Sequence, residues 1–209
     1  MSDLIKASVE LSTIIIFILC SILAGYLTKK YVANKLTSYL YWSSGMWFFA
    51  IGVFLEILFA FNIRDQFLIQ TYLLVVVVIV ELLALGSISL VKSDNIKRVY
   101  LLYCIIISAV TLYFVITEPV GNLITNYVVF GPLPLGIIAS SSLATFPAAL
   151  ILIVVAAQSY RQKKNNKMLS IIIGTIIVSI AGGLYIAKFP AFLYIAEFIG
   201  IILLWFGFF

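Results

Sequence analysis

The sequence predicts an all-α integral membrane bundle of seven transmembrane helices, N-terminus outside and C-terminus in the cytoplasm. Three observations carry this. Of the 209 residues 64% are hydrophobic and only 10% charged, against about 25% charged in soluble domains, so a fold this apolar needs lipid around it. The apolar residues fall in continuous runs of the length a helix needs to span hydrocarbon, without the alternation of a membrane β-barrel. Lysine and arginine are distributed very unequally between the two sides.

The seven apolar runs are 9–28, 40–61, 67–91, 99–117, 133–157, 168–187 and 191–209. The stretch before the first carries Asp3, Lys6 and Glu10 and no cleavage motif follows, so the run is expected to be a retained helix and not a signal peptide. Short polar breaks separate the rest. The longest, 118–132, holds Pro119, Gly121 and Asn122, residues that suit an irregular surface loop. Pro190 marks the turn into the last helix. Breaks one, three and five contain three, three and four basic residues: Lys29, Lys30 and Lys35; Lys92, Lys97 and Arg98; Arg161, Lys163, Lys164 and Lys167. The opposite side has only Lys6, Arg64 and Lys188. The rich side is the cytoplasmic one, in a plasma membrane, and the net charge of +5 reports this topology and not nucleic-acid binding.

The whole chain, 1–209, is expected to form one domain. Within it Asn34-Lys35-Leu36-Thr37-Ser38 resembles Asn166-Lys167-Met168-Leu169-Ser170, and Phe67-Leu68 resembles Phe192-Leu193. These similarities point to a 3+1+3 layout with parallel repeats over 9–91 and 133–209.

Helices in lipid associate through close packing of small residues. Gly136, Ser140 and Ala144 make such a stripe in the fifth run; Thr175, Ser179, Gly183 and Ala187 make one in the sixth. Pro147 removes a backbone donor within the fifth run, and Ser140, Ser141, Ser142 and Thr145 are the nearest groups able to satisfy the freed carbonyl.

There is no histidine, which excludes His-ligated haem, His-based zinc or copper sites and Ser-His or Cys-His catalysis within this chain. Cys20 and Cys104 lie in different runs at different depths, so they are read as unpaired buried thiols. No aspartate falls within any run, so an intramembrane aspartyl dyad is absent. No cofactor, metal or catalytic residue is predicted, and the chain is read as a non-enzyme.

What remains is three glutamates inside apolar runs: Glu56, Glu81 and Glu197. An ionised carboxyl at the bilayer centre costs about 2.5–3.5 kcal/mol on insertion scales, so such groups face inward, pair, or take up a proton. At a rise of about 1.5 Å per residue, Glu56 and Glu197 each sit about 9 Å from the outer ends of their helices, and Glu81 lies deeper. Lys188 stands at the outer mouth. Gln70 shares a helical face with Glu81, and Tyr194 with Glu197. These six residues outline a proton or cation path, with Glu56 and Glu197 as an outer station and Glu81 as an inner one. The function expected is a small proton- or cation-coupled transporter or channel. The alternative is a non-catalytic accessory subunit of a larger membrane complex, for example respiratory, with other membrane subunits as partners beside the lipid bilayer.

The seven-helix layout, together with Ala196-Glu197-Phe198-Ile199-Gly200 in the last run, resembles the microbial rhodopsins, but glutamate stands where that family has its retinal lysine. Trp42, Gly45, Gly52, Glu56, Tyr72 and Leu85-Gly86-Ser87 resemble a pattern of uncharacterised prokaryotic seven-helix membrane proteins. That resemblance implies a fold and no activity. The richness in Ile, Tyr, Lys and Asn points to an AT-rich prokaryotic genome, of an archaeon among the candidates.

Overall fold

A computed structural model describes the chain except residues 1, 64, 122, 126–127, 130, 165–166, 168, 175, 178–189 and 209. It is a helical bundle. The elements are α1 (Ser2–Asn34), α2 (Thr37–Ala60), α3 (Gln66–Ile88), α4 (Asp94–Thr117), the two-residue strands β1 (Ile124–Thr125) and β2 (Val128–Val129), α5 (Leu135–Lys163), α6 (helical over 169–174) and α7 (Pro190–Phe208). Five helices are long and apolar enough to cross a membrane, and Ala196–Phe208 forms a shorter apolar one. The apolar faces of these helices are left bare. On α4, Leu102, Ile105, Ile106 and Ile116 are all exposed, an apolar surface of the kind that faces a membrane or a partner.

Several helices run past their apolar cores. The run 9–28 becomes α1 through Asn34, and α4 begins at Asp94, well before 99. Hydropathy locates the part of a helix in hydrocarbon, whereas backbone hydrogen bonding continues into the polar headgroup layer. At the start of α4 the Lys97 ammonium lies 3.0 Å from Asp94 Oδ1, with the acid in the first turn where the helix dipole favours it.

The α2–α3 turn is closed by local chemistry. Asn62 takes a left-handed conformation (φ 66°). Its N–H bonds the carbonyl of Phe59, and Ile63 N–H bonds that of Leu58 at 3.0 Å, the paired bonds of a Schellman end. Asp65 then caps α3 by accepting from Phe67 N–H at 2.8 Å.

α2 and α3 pack as an antiparallel pair in constant register. The Trp42 indole lies against Gly86, where any Cβ would overlap the ring, and its Nε1–H donates to the Leu83 carbonyl at 3.2 Å. Gly45 meets Leu82 and Leu83, and Gly52 meets Val75 and Ile79. Glu56 then meets Tyr72. α3 is the central helix, with α2 on one side and α4 and α5 on the other, and α1 lies against α2 and α7. We call the end with the α1–α2 and α3–α4 turns the basic end, and the other the hairpin end.

The core runs in layers along α3. Val77, Ile107 and Ala144 fill the middle, and Ala84, Leu85, Tyr100, Cys104 and Ala148 fill the basic end. At the hairpin end Phe59, Ile69, Tyr72, Val115 and Ile137 pack with Val120 and Leu123. Here the structure corrects the expectation of a plain surface loop over 118–132. Leu123 is 0% exposed, and β2 lies against α2 and α7. The apolar residues Val120 and Leu123 turn the loop inward, where they close the end of the core. A separate cluster of Ile16, Cys20, Leu23, Met46, Val53 and Ile201 joins α1, α2 and α7.

Candidate functional site

Glu56 lies four residues before the end of α2 and Tyr72 six residues into α3. Both stand eight positions from residue 64, so the antiparallel register brings them level. The Tyr72 hydroxyl donates to Glu56 Oε1 at 2.6 Å. Glu56 is 3% exposed, and its Oε2 is buried with no hydrogen-bond partner.

Glu197 stands seven residues into α7, about 10 Å from its first residue. The Glu56 and Glu197 carboxyls are close enough to interact electrostatically. Glu197 Oε2, like Glu56 Oε2, is buried and unpartnered. The Cys20 thiol of α1 lies within the field of both carboxyls. The site therefore draws on α1, α2, α3 and α7. Among the described residues, no lysine or arginine neutralises either acid. Glu56 with its phenol partner, and Glu197 within electrostatic reach of it, are acids inside an apolar bundle, a chemistry able to hold a proton or a small cation.

Glu81 belongs elsewhere. It follows Tyr72 by nine residues, about 13 Å along α3 and half a turn out of phase, so it faces α4 while Tyr72 faces α2. The Ser108 hydroxyl of α4 donates to Glu81 Oε2 at 2.5 Å. Glu81 Oε1 is buried without a partner, and Cys104 and Tyr100 lie near enough to feel the carboxyl. The side chain lines a groove of about 350 Å³ between α3, α4 and the start of α2. The sequence reading places three carboxyls on one path; the structure sets Glu81 apart from Glu56, on the opposite side of α3.

Gln70 does share the α4-facing side of α3 with Glu81, but its amide is engaged in another task. Its Nε2 donates to the Val115 carbonyl at 2.8 Å. That carbonyl's helical donor would be residue 119, a proline with no N–H. The same arrangement recurs deeper in the bundle. Pro147 leaves the Leu143 carbonyl without its donor, and the Tyr103 hydroxyl of α4 supplies one at 2.6 Å. This corrects the expectation that Ser140, Ser141, Ser142 or Thr145 would do so. Hydroxyls in a helix reach back three or four residues: Ser141 bonds the Ile137 carbonyl at 2.6 Å and Ser140 the same carbonyl at 3.3 Å. Only position 146 or 147 could reach Leu143, and these are Phe and Pro.

Of the packing residues, Ser140 and Ala144 are buried and Gly136 is partly buried. A Cβ at Gly136 would fall 2.5 Å from Glu118 Oε1 and from the Phe114 ring, so the glycine lets the loop acid approach the first turn of α5. Thr175, Ser179, Gly183, Ala187 and Lys188 lie outside the described residues. Tyr194 lies on α7, and its side chain is outside the described set. The described part of α6 meets α7 through Ser170, whose hydroxyl donates to the Leu203 carbonyl at 2.6 Å, and through Gly174, which faces the Gly200 carbonyl.

The sequence reading did not assign a site role to Tyr72, Ser108, Cys20 or Cys104. Tyr72 had a usable signal, its equal spacing with Glu56 about the α2–α3 turn. The other three depend on helix-to-helix packing and had none. Both thiols are unpaired and buried.

The fold is a helical bundle of membrane-spanning character with acids in its interior, Glu56 and Glu81 among them. No family model matches the chain, and no curated protein or solved structure matches it.

Proposed function

We propose that the chain is a small proton- or cation-coupled transporter with Glu56 and Glu197 as its coupling site. The observation that carries this reading is that two acids from distant parts of the sequence, Glu56 and Glu197, each keep one buried oxygen without a hydrogen bond. A structural acid in an apolar bundle has its polar atoms satisfied; a transport acid must keep a place open for what it carries. Tyr72 holds one side of Glu56 and leaves the other side available.

The chain crosses the plasma membrane seven times with its N-terminus outside, a topology supported by the lysine and arginine asymmetry. The site then lies in the outer half of the bilayer.

The test is flux through liposomes containing the purified chain and an internal pH or cation indicator. Wild type is expected to conduct or exchange, and Glu56→Gln and Glu197→Gln each to abolish it. Undiminished flux in both variants overturns the proposal. The accessory-subunit alternative predicts no flux from the isolated chain and stoichiometric co-purification with other membrane proteins from native membranes.

A further inference from the structure

We propose that the groove at Glu81 is a second binding site, for a lipophilic ammonium ion that enters sideways from the membrane. The inference is independent of the role given to Glu56 and Glu197.

The groove holds about 350 Å³ and opens on the flank of the bundle between α3 and α4. Its α4 wall is Leu101, Cys104, Ile105 and Ser108, of which Ile105 is 60% exposed, so the groove opens toward the outer surface of the bundle, where lipid would lie in a membrane. Leu82 and Leu85 line the α3 side. Against these apolar walls stands one acid. Glu81 is 4% exposed; Ser108 engages Oε2, and Oε1 has no partner. Among the described residues no ammonium or guanidinium pairs with it.

The chemistry of the groove selects its occupant. An inorganic cation gives up its water only for several oxygens, six to eight in the case of calcium. One carboxyl, one serine hydroxyl and the Tyr41 phenol at the edge fall short of that. A neutral lipid would fill the walls and leave the carboxyl uncompensated. An ammonium on an alkyl body does both: its charge and N–H groups satisfy Glu81, and its chain covers the leucines and isoleucines. Tyr41 at the groove also offers an aromatic face to a cation. The depth agrees. Glu81 lies seven residues, about 10 Å, from the basic end of α3, within reach of an amphiphile in that leaflet.

The experiment uses the full chain in lipid nanodiscs and radiolabelled decylammonium below its micellar concentration, with decanol as neutral competitor. Saturable binding near one per chain is expected, and decanol should compete poorly. Glu81→Gln should weaken binding at least about tenfold, as expected for loss of a charge-assisted contact. Glu56→Gln should leave it unchanged. Because Glu81→Gln acts on a buried group, a second variant guards the result. Ile105→Trp, at an exposed position, should block the groove with Glu81 intact. Equal affinity in Glu81→Gln, equal competition by decanol, or unaltered binding in Ile105→Trp would each overturn the proposal.

Discussion

The Tyr103 hydroxyl lies 2.6 Å from the Leu143 carbonyl, the acceptor that Pro147 strips of its own helical donor. One residue of α4 thereby repairs a break in the hydrogen-bonding ladder of α5, and ties the two helices together where apolar contact alone gives little net attraction. In a bilayer an unsatisfied carbonyl has no water to turn to. Tyr103→Phe should therefore destabilise the protein by about 1–2 kcal/mol. Pro147→Ala, which restores the N–H, should make the same substitution nearly neutral. Unfolding in detergent of the four members of this cycle measures the coupling.

Gln70 does for Val115 what Tyr103 does for Leu143. Gln70→Leu should lower stability by about 1 kcal/mol and leave intact the flux proposed for Glu56 and Glu197. A stable protein that has lost flux would instead return Gln70 to the ion path. Thermal unfolding and liposome flux on the same preparation separate the two outcomes.

The Trp42 ring against Gly86 sets the α2–α3 spacing. Gly86→Ala should cost about 1–3 kcal/mol through overpacking. Gly25→Ala, where nothing lies within 4 Å of the added methyl, should be neutral or gain up to about 1 kcal/mol in helix propensity. Paired melting curves check the contrast.

Tyr72→Phe removes the only hydrogen bond to the Glu56 carboxyl that the described residues provide, while keeping the ring in the core beside Phe59. Stability should fall by about 1–2 kcal/mol. Transport should change in its cation or proton concentration dependence and not vanish, because both carboxyls remain. A variant indistinguishable from wild type in half-saturation would show that the phenol serves packing alone.

Much of the bundle was legible because lipid writes itself into sequence as long apolar runs. The predicted run 40–61 became Thr37–Ala60, and 67–91 became Gln66–Ile88. Where the reading fell short, the cause was physical. The polar ends of α1, α4 and α5 carry no hydropathy signal although their backbones stay helical. Leu123 looked like loop because the apolar stretch around it is too short to span a membrane, yet it is long enough to close a core. Within a single helix, phase is readable: the half turn between Tyr72 and Glu81 sets Glu81 on the opposite side of α3 from the Tyr72 hydroxyl that holds Glu56. Between helices it is not. That Glu197 of α7 lies within electrostatic reach of Glu56 of α2, or that Ser108 meets Glu81, depends on which helices are neighbours, and nothing in local spacing states that. The glutamates could be singled out as costly; their partners could not.

The central claim is that Glu56 and Glu197 act as one site. Infrared difference spectroscopy of the purified chain, between acidic and neutral buffer and with or without added sodium, measures it most directly. The account predicts carboxyl bands that respond to pH or to the cation, with Glu56→Gln also shifting the band that Glu197→Gln removes, and the converse. Two bands that vanish one at a time, each blind to loss of the other acid and to the cation, would contradict it.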